Sequence, residues 1–149
     1  KRQGCPDVPV VGFSGDGAFG IAVNELTAIG RGDWPAVTQI VFRNYQWGAE
    51  KRNTTLWYQD NFVGTELNYE VSYAGIAEAC NLKGVVARTM EDLTAALNQA
   101  IKDQMENGVT TLIEAMINQE LGEPFRRDAM TAPVAVAGID AKDMRPQQV

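Results

Sequence analysis

The chain alternates short apolar runs, rich in branched side chains, with segments in which apolar residues recur every three or four positions. The apolar runs occupy residues 8–13, 37–42, 84–87 and 110–116, and their composition is typical of buried strands. The helical spacing occurs at residues 18–29, 69–81 and 89–107. Strands that alternate with helices predict an α/β fold, in which a doubly wound, mainly parallel sheet is flanked by helices.

Local signals mark several boundaries of these elements. Gly30 and Pro35 end the first helix. Thr89, followed by Asp92, forms a capping box at the start of the last helix. Asn44 opens a polar, aromatic segment that continues to about Leu67, and we assign no helix or strand to it.

The periodicity fades after Gln119. We expect one domain, residues 1–149, with a compact core at about 8–117 and an extended C-terminal tail at 118–149. Because almost nothing precedes the first strand, we also expect the chain to be a fragment of a longer protein.

The composition narrows the classes of partner and of chemistry. A net charge of −6 argues against nucleic acid as the main partner, because phosphate backbones require clustered Lys and Arg. No apolar run approaches the roughly 20 residues that span a bilayer, so we expect no membrane segment. The two cysteines, Cys5 and Cys80, fit neither a zinc spacing nor a disulfide framework and favour a reducing cytoplasm. The chain has no histidine, which excludes a Ser-His-Asp triad or a histidine-ligated zinc site within it.

Two loops follow the first two predicted strands, at the edge of a parallel sheet where ligands bind. The first contains Gly15, Asp16 and Gly17 and leads directly into a helix. Glycines let the backbone approach an anion closely, and a helix N-terminus offers unpaired N–H groups to it. An aspartate there would repel a bare diphosphate, whereas Mg²⁺ between the two suits carboxylate and amide oxygens. Asn44, at the end of the second strand, supplies an amide oxygen.

Each half of this pattern has a simpler interpretation. Gly-Asp-Gly alone is commonly a turn, and Asn44 alone is compatible with an Asx-turn. The spacing between Gly17 and Asn44 leaves room for one helix and one strand, which returns Asn44 to the side of Asp16. The pair therefore predicts a Mg²⁺-diphosphate site more strongly than either member does.

Resemblance to the thiamine diphosphate (ThDP) enzymes is carried by GDGAFGIAVNELTAIGRGDWPAVTQIVFRN, which matches their motif from a GDG to an asparagine pair. In that family the aspartate, the second asparagine and a main-chain carbonyl two residues later hold the ion. The resemblance thus implies that Asp16, Asn44 and Gln46 are the metal ligands. Arg43 departs from the pattern, because many members have the first asparagine there. Contacts with ThDP are implied around both loops, at Gly15, Asp16, Gly17, Ala18, Phe19, Asn44, Gln46, Trp47 and Gly48.

Similarity to the sulfoacetaldehyde acetyltransferase family, in the acetohydroxyacid synthase and pyruvate oxidase group, is carried by NYQWGAEKRNTTLWYQDNFVGTEL and by INQELGEPFRRDAM. It extends over essentially the whole chain and implies the C-terminal ThDP-binding domain of an enzyme. That enzyme would convert sulfoacetaldehyde and phosphate into acetyl phosphate and sulfite. The resemblance also implies that the activating glutamate lies in another domain, usually of a partner subunit, in a homodimer or homotetramer. No catalytic residue is therefore assigned within this chain.

Two cations and several aromatic residues follow the predicted metal loop. Sulfonate and phosphate are anions, so we expect Lys51 or Arg52 to hold one of them near the cofactor. The alternative is that these two residues form an exposed charge pair. Trp47, Trp57 and Tyr58 either wall the active site or pack in the core or at a subunit interface.

Three other functions are open to such a chain. Another ThDP enzyme of the acetohydroxyacid synthase or pyruvate oxidase group would keep the cofactor and change the substrate. The fragment by itself would act only as a non-catalytic module that binds Mg²⁺ and diphosphate. A Rossmann-type dinucleotide domain is disfavoured, because no G-x-G-x-x-G opens the first helix.

Overall fold

The structure is a computed structural model, and it describes residue 4 and residues 7–57 and 61–119. Cys5, Tyr58 and residues 120–149 of the predicted tail lie outside the described residues. The described residues divide into two compact units. The first contains residues 4, 7–46 and 66–119, and the second contains residues 47–57 and 61–65.

The first unit is built on a parallel sheet. Its strands are β1 (Val11–Gly15), β2 (Thr38–Arg43), β3 (Lys83–Ala87) and β4 (Thr111–Met116), in the spatial order β1-β2-β4-β3. In the ladders, Gly15 pairs with Phe42, and Arg43 pairs with Met116. Since all neighbouring strands are parallel, the carboxyl ends of β1, β2 and β4 lie at the same edge of the sheet. The predicted parallel α/β architecture is confirmed.

Helices cover both faces of the sheet. They are α1 (Asp16–Ile21), α2 (Leu26–Ile29), α4 (Tyr73–Ala79) and α5 (Met90–Lys102), while α3 (Gly48–Trp57) belongs to the second unit. Successive side chains of a strand point to opposite faces, so Ile40 and Val41 of β2 enter different apolar clusters. The buried members on the face of α2 and α4 are Leu26, Val41, Tyr73, Ala77 and Leu112. Those on the face of α5 are Ile40, Ala87, Ala100, Ile113 and Ala115.

The start of β1 is later than predicted, at Val11 instead of residue 8. Pro9 has no N–H for a strand ladder. The Val10 N–H instead donates to Gln104 Oε1 (2.8 Å), and the Val10 carbonyl accepts from Gln104 Nε2 (2.8 Å) as well as from the Thr38 N–H (3.0 Å). β1 continues to Gly15, so Asp16 leaves the sheet directly at its carboxyl edge.

The predicted helix at 18–29 is wrong as a single element. It consists of α1, a 3-10 turn at Val23–Glu25, and α2. Gly20 and Asn24 are weak helix formers, and the backbone leaves the helical region at Ala22 (φ −116°, ψ 21°). The helix also begins earlier than predicted, at Asp16.

The remaining helices differ from prediction mainly at their ends. α3 was not expected, because residues 48–57 carry no apolar stripe at helical spacing. α4 begins four residues after the predicted start, at Tyr73, because Ser72 Oγ accepts a hydrogen bond from the Gly75 N–H (3.1 Å). It ends before Asn81, whose φ of 63° is left-handed.

The predicted capping box of α5 is confirmed. Thr89 Oγ1 accepts from the Asp92 N–H (3.0 Å), and Asp92 Oδ2 accepts from the Thr89 N–H (3.1 Å). After α5 the chain forms a π-helical turn at Asp103–Asn107 and reverses at Gly108 (φ 65°). In the part of the chain that the structure describes, no helix is long and apolar enough to cross a membrane.

Candidate cofactor site

The ends of β1 and β2 bring Asp16 and Asn44 together. Gly15 pairs with Phe42 in the parallel ladder, so the residues that follow the two strands leave the sheet side by side. The backbone N–H of Asn44 donates to Asp16 Oδ2 at 3.1 Å. Two of the three predicted metal ligands, Asp16 and Asn44, are therefore neighbours.

The Asp16 carboxylate is buried, at 1% exposure, and is held in one orientation. Oδ2 accepts from the Tyr45 N–H (2.7 Å), the Asn44 N–H (3.1 Å) and Arg43 Nη1 (3.3 Å). Oδ1 accepts from the Gly17 N–H (2.9 Å). A carboxylate oxygen has about two lone-pair sites, so Oδ2 is saturated by these donors and Oδ1 keeps the greater capacity for a cation.

The loop after β2 is fixed on both sides of Asn44. Tyr45 has a left-handed backbone (φ 62°), which is uncommon for a bulky residue and costs on the order of 1–3 kcal/mol. In this conformation its N–H donates to Asp16. Asn44 Oδ1 accepts from the Gln46 N–H (3.2 Å), and Gln46 forms a β-bridge with Glu66. The strain at Tyr45 is thus maintained by contacts on either side.

Arg43 lies beside Asp16 and is the largest of the fully buried side chains in the described residues. Its Nη1 donates to Asp16 Oδ2. Its Nη2 donates to the backbone carbonyls of Asn68 (2.6 Å) and Val71 (3.0 Å). One guanidinium therefore connects the end of β2 to the segment that precedes α4.

Two aromatic rings and a second carboxylate complete the surroundings of this guanidinium. It lies 4.3 Å from the ring centre of Tyr45 and 4.9 Å from that of Tyr73, within cation–π range. Nε is 3.4 Å from Glu114 Oε1, but the geometry makes no hydrogen bond, so this contact is ionic. Removing one partner from a buried set of charges typically costs about 3–5 kcal/mol, because the remaining charge is left uncompensated.

Glu114 and Tyr73 connect α4 to the same cluster. Glu114 Oε2 accepts from Ser72 Oγ (2.9 Å) and from the Ala74 N–H (3.1 Å). The Tyr73 hydroxyl donates to the backbone carbonyl of Asp16 at 3.0 Å. Burial raises the pKa of Tyr73 above its ordinary value, so the hydroxyl stays a hydrogen-bond donor at neutral pH.

The sequence matches a known domain family over most of the chain. Residues 1–115 match the family described as the C-terminal TPP binding domain of thiamine pyrophosphate enzymes. The chain belongs to this family. Thiamine pyrophosphate is another name for ThDP, so the sheet and its cluster of buried charges are part of a ThDP-binding domain.

Two curated relatives resemble this TPP-binding domain over nearly its whole length. A sulfoacetaldehyde acetyltransferase from Roseovarius nubinhibens is 83% identical over 148 residues, which cover 99% of this chain and 24% of the relative. A second protein of that name, from Rhodobacter capsulatus, is 78% identical over 143 residues, or 96% of this chain and 24% of the relative. The chain thus spans about a quarter of the length of these relatives.

A solved structure shares the fold of the TPP-binding domain. It is the Rhodococcus jostii RHA1 thiamine diphosphate-dependent 4-hydroxybenzoylformate decarboxylase, with a TM-score of 0.64 and 20% identity. The match covers 80% of this chain and 22% of that one. At this identity the likeness shows the α/β fold alone.

The predicted cofactor residues of the first loop differ in exposure. Gly15 and Ala18 are exposed and Gly17 is buried. Phe19 is half-buried and packs its ring edge-on against Tyr73, with ring centres 5.3 Å apart. α1 spans six residues, so its dipole is weaker than that of the single long helix expected from the sequence.

A groove of about 380 Å³ lies along β1 in the TPP-binding domain. Ser14, Ala18 and Phe19 are among its lining residues, together with apolar side chains of the sheet. Asp16 does not line it. The groove therefore shares Ala18 and Phe19 with the predicted cofactor residues but does not include Asp16.

Four of the predicted residues belong to the second unit: Trp47, Gly48, Lys51 and Arg52. Gly48 begins α3, and the Trp47 N–H donates to the Thr65 carbonyl (2.8 Å). Lys51 and Arg52 are both half-buried, and Lys51 Nζ lies 5.1 Å from the ring centre of Phe62. Their roles toward cofactor and substrate, with those of Trp47 and Trp57, stay predictions.

The oxygen ligands predicted for this site are of the type that suits a hard cation such as Mg²⁺. This ion accepts one or two carboxylates and completes its shell with other oxygens, water and substrate phosphates. The predicted ligands, Asp16, the Asn44 side-chain amide and the Gln46 carbonyl, are oxygens of this kind, and Asn44 Oδ1 accepts from the Gln46 N–H (3.2 Å). No cluster of three or more His, Cys, Asp or Glu side chains suited to a metal occurs among the described residues. A cation at this site would therefore depend on the amide and carbonyl oxygens and on the diphosphate.

Sequence reasoning missed the buried charges beside this site. Arg43 was noted only as a departure from the family motif, and Glu114 only as part of an apolar strand. A charged residue inside the run TLIEAM was the available signal, because a buried glutamate requires a partner. The partner, at the end of VTQIVFR, becomes evident only when β2 and β4 are known to be adjacent.

Proposed function

We propose that this chain is the diphosphate-binding part of a ThDP- and Mg²⁺-dependent sulfoacetaldehyde acetyltransferase. The enzyme would convert sulfoacetaldehyde and phosphate into acetyl phosphate and sulfite. The substrate is proposed from the 83% identity, over 99% of the chain, to a relative of that name. Since the chain spans 24% of that relative, the other domains and a partner subunit would supply the rest of the active site in a cytoplasmic homodimer or homotetramer.

The buried carboxylate of Asp16 supports the metal part of the proposal. A diphosphate beside an anionic side chain is repelled unless a cation lies between them. Asp16, Asn44 and Gln46 would hold Mg²⁺, and the backbone of residues 15–19 would approach the diphosphate. When bound, ThDP supplies an electron sink for the carbanion chemistry, while the protein binds and orients it.

The substrate is tested in the complete enzyme that contains this chain. With sulfoacetaldehyde and phosphate, we expect release of sulfite and formation of acetyl phosphate in equal amounts. Release of carbon dioxide from pyruvate, without sulfite release, would assign the enzyme to the acetohydroxyacid synthase or pyruvate oxidase chemistry instead.

The metal site is tested by Asp16→Ala in the same enzyme. We expect loss of Mg²⁺-dependent ThDP binding, measured by calorimetry on enzyme freed of metal with a chelator. Asp33→Ala is the matched control, because Asp33 is exposed and pairs with the exposed Arg31 at 2.8 Å. Retention of Mg²⁺-dependent binding in the Asp16 variant would refute the ligand assignment.

A further inference from the structure

We propose that Arg43 is a positioning residue, which holds Oδ2 of Asp16 so that Oδ1 is presented to the metal ion. The inference rests on the proposed Mg²⁺-diphosphate site and adds to it a residue that makes no contact with the ion. It gives a role to the position at which this chain departs from the asparagine of many family members.

The two oxygens of the Asp16 carboxylate accept different numbers of hydrogen bonds. Oδ2 receives Arg43 Nη1 and the N–H groups of Asn44 and Tyr45, whereas Oδ1 receives only the Gly17 N–H among the described residues. Since each oxygen has about two lone-pair sites, one site remains on Oδ1. The carboxylate is thus oriented before any cation binds.

The Arg43 guanidinium is itself immobilised. Its Nη2 is fixed by two backbone carbonyls, of Asn68 and Val71, and its Cζ lies within cation–π range of the Tyr45 and Tyr73 rings. A planar group with several fixed donors transmits orientation, which a lysine ammonium, as a point charge on a flexible stem, does not. Arg43 therefore acts as a rigid support for Asp16.

Two effects of Arg43 on metal binding oppose each other. Its positive charge beside a ligand carboxylate repels a second cation, so loss of the charge alone would strengthen Mg²⁺ binding. Its hydrogen bond orients the ligand, and loss of such an outer partner typically weakens metal binding roughly 10- to 100-fold. We expect orientation to dominate, because the Asp16 carboxylate is buried and the guanidinium that supports it is held by two backbone carbonyls. Whether Mg²⁺ binding becomes weaker or stronger when Arg43 is replaced therefore distinguishes the two effects.

The experiment uses the complete enzyme, freed of metal, at saturating ThDP. Mg²⁺ is titrated and bound ThDP is followed by protein fluorescence. In Arg43→Gln the Mg²⁺ concentration for half-saturation should rise roughly 10- to 100-fold. Arg43→Lys, which keeps the charge without the planar fork, should also raise it and carries the test if the Gln variant does not fold. A half-saturation equal to or below the wild-type value in the folded variant would overturn the proposal.

Gln104→Ala is the matched control for general loss of stability. Gln104 is also buried, at 1% exposure, and its amide anchors Val10 and Thr38 at the opposite, amino edge of the sheet. This variant should unfold at a lower temperature and bind Mg²⁺ as the wild type does. If the Mg²⁺ concentration for half-saturation rose as much in the Gln104 variant as in the Arg43 variants, Arg43 would have only a structural role and the proposal would be overturned. Absence of Mg²⁺-dependent ThDP binding in the wild type would instead refute the proposed function.

Discussion

At Gly15, a requirement of the fold for glycine can be distinguished from a requirement of a bound ligand. Its backbone is extended (φ −72°, ψ 157°), a conformation that any residue adopts. A Cβ built at this position meets no atom within 4 Å among the described residues. At Gly84, in contrast, a Cβ would collide with the backbone carbonyl of Ala74. The fold therefore requires glycine at position 84 but not at position 15.

Replacement of Gly15 by alanine should leave the stability of the complete enzyme unchanged and weaken ThDP binding. The added methyl group would occupy space through which the diphosphate approaches the backbone. Overpacking by one such group costs about 1–3 kcal/mol, or roughly 5- to 150-fold in affinity. Calorimetry measures the affinity, and thermal unfolding measures the stability.

Gly84→Ala is the control for this prediction. It should lower the melting temperature, because the new methyl group must displace the backbone of α4. Wild-type ThDP affinity in a stable Gly15 variant would show that the glycine is not required by the cofactor.

At the scale of secondary-structure elements, the sequence pattern correctly predicted the strands and helices whose buried residues recur at regular spacing. β2 and β4 are centred on branched apolar residues, and α5 combines an apolar stripe with a local capping box. The start of α4 was not predictable in this way. Glu114, which bonds both Ser72 and the Ala74 N–H, is 40 residues away from the latter. A helix end that is fixed by a distant strand leaves no local signal.

The same distinction applies to the candidate site: contacts within one β-α-β unit were predictable from the sequence, and contacts between distant elements were not. Asp16 and Asn44 were predicted to meet because each follows a strand of the same β-α-β unit. The contact of Arg43 with Glu114 was not predicted, because it depends on β4 being inserted beside β2. The left-handed backbone of Tyr45 has no sequence signal either, because the residue is neither Gly nor Asn.

The π-helical turn after α5 provides a pH-dependent test at the level of an element. Asp103 accepts from Lys83 Nζ (2.6 Å), Gln99 Nε2 (2.8 Å) and Asn107 Nδ2 (3.3 Å). The hydrogen bond from Lys83 is the main cause that lowers the pKa of Asp103, followed by that from Gln99. A carboxyl whose pKa is lower in the folded state stabilises the fold above its unfolded pKa, about 3.9, and loses this contribution as the pH falls through the folded value.

Asp103→Asn should therefore lower the melting temperature at pH 7, and the difference from the wild type should shrink below about pH 4. Thermal unfolding of the complete enzyme across this pH range measures the effect. Asp33→Asn is the comparison, because its exposed pair with Arg31 contributes little. A difference that stays constant down to the lowest accessible pH would contradict the role assigned to Asp103.

At the scale of the whole molecule, this domain contains the metal-diphosphate half of the proposed active site. Its chain covers about a quarter of the curated relatives, and it has no histidine to transfer protons. The activating glutamate and the proton-transfer groups would come from the other domains. What this chain can still add to substrate recognition is positive charge, and Lys51 and Arg52 follow the metal loop in sequence.

The structure sharpens the prediction for these two cations. Both lie in α3, where successive residues are about 100° apart around the helix axis, so their side chains leave in different directions. Lys51 is directed toward the Phe62 ring in the second unit. We therefore expect Lys51→Ala and Arg52→Ala to have unequal effects, with the larger one identifying the residue that holds the anion.

In the complete enzyme, that variant should raise the KM for phosphate or sulfoacetaldehyde while ThDP affinity stays at the wild-type value. A hydrogen bond to a charged group contributes about 1.5–3 kcal/mol, which corresponds to roughly 10- to 150-fold in KM. Lys102→Ala, at the exposed end of α5, controls for the loss of a surface charge. If both α3 variants keep the wild-type KM for both substrates, anion binding must be assigned to another part of the enzyme.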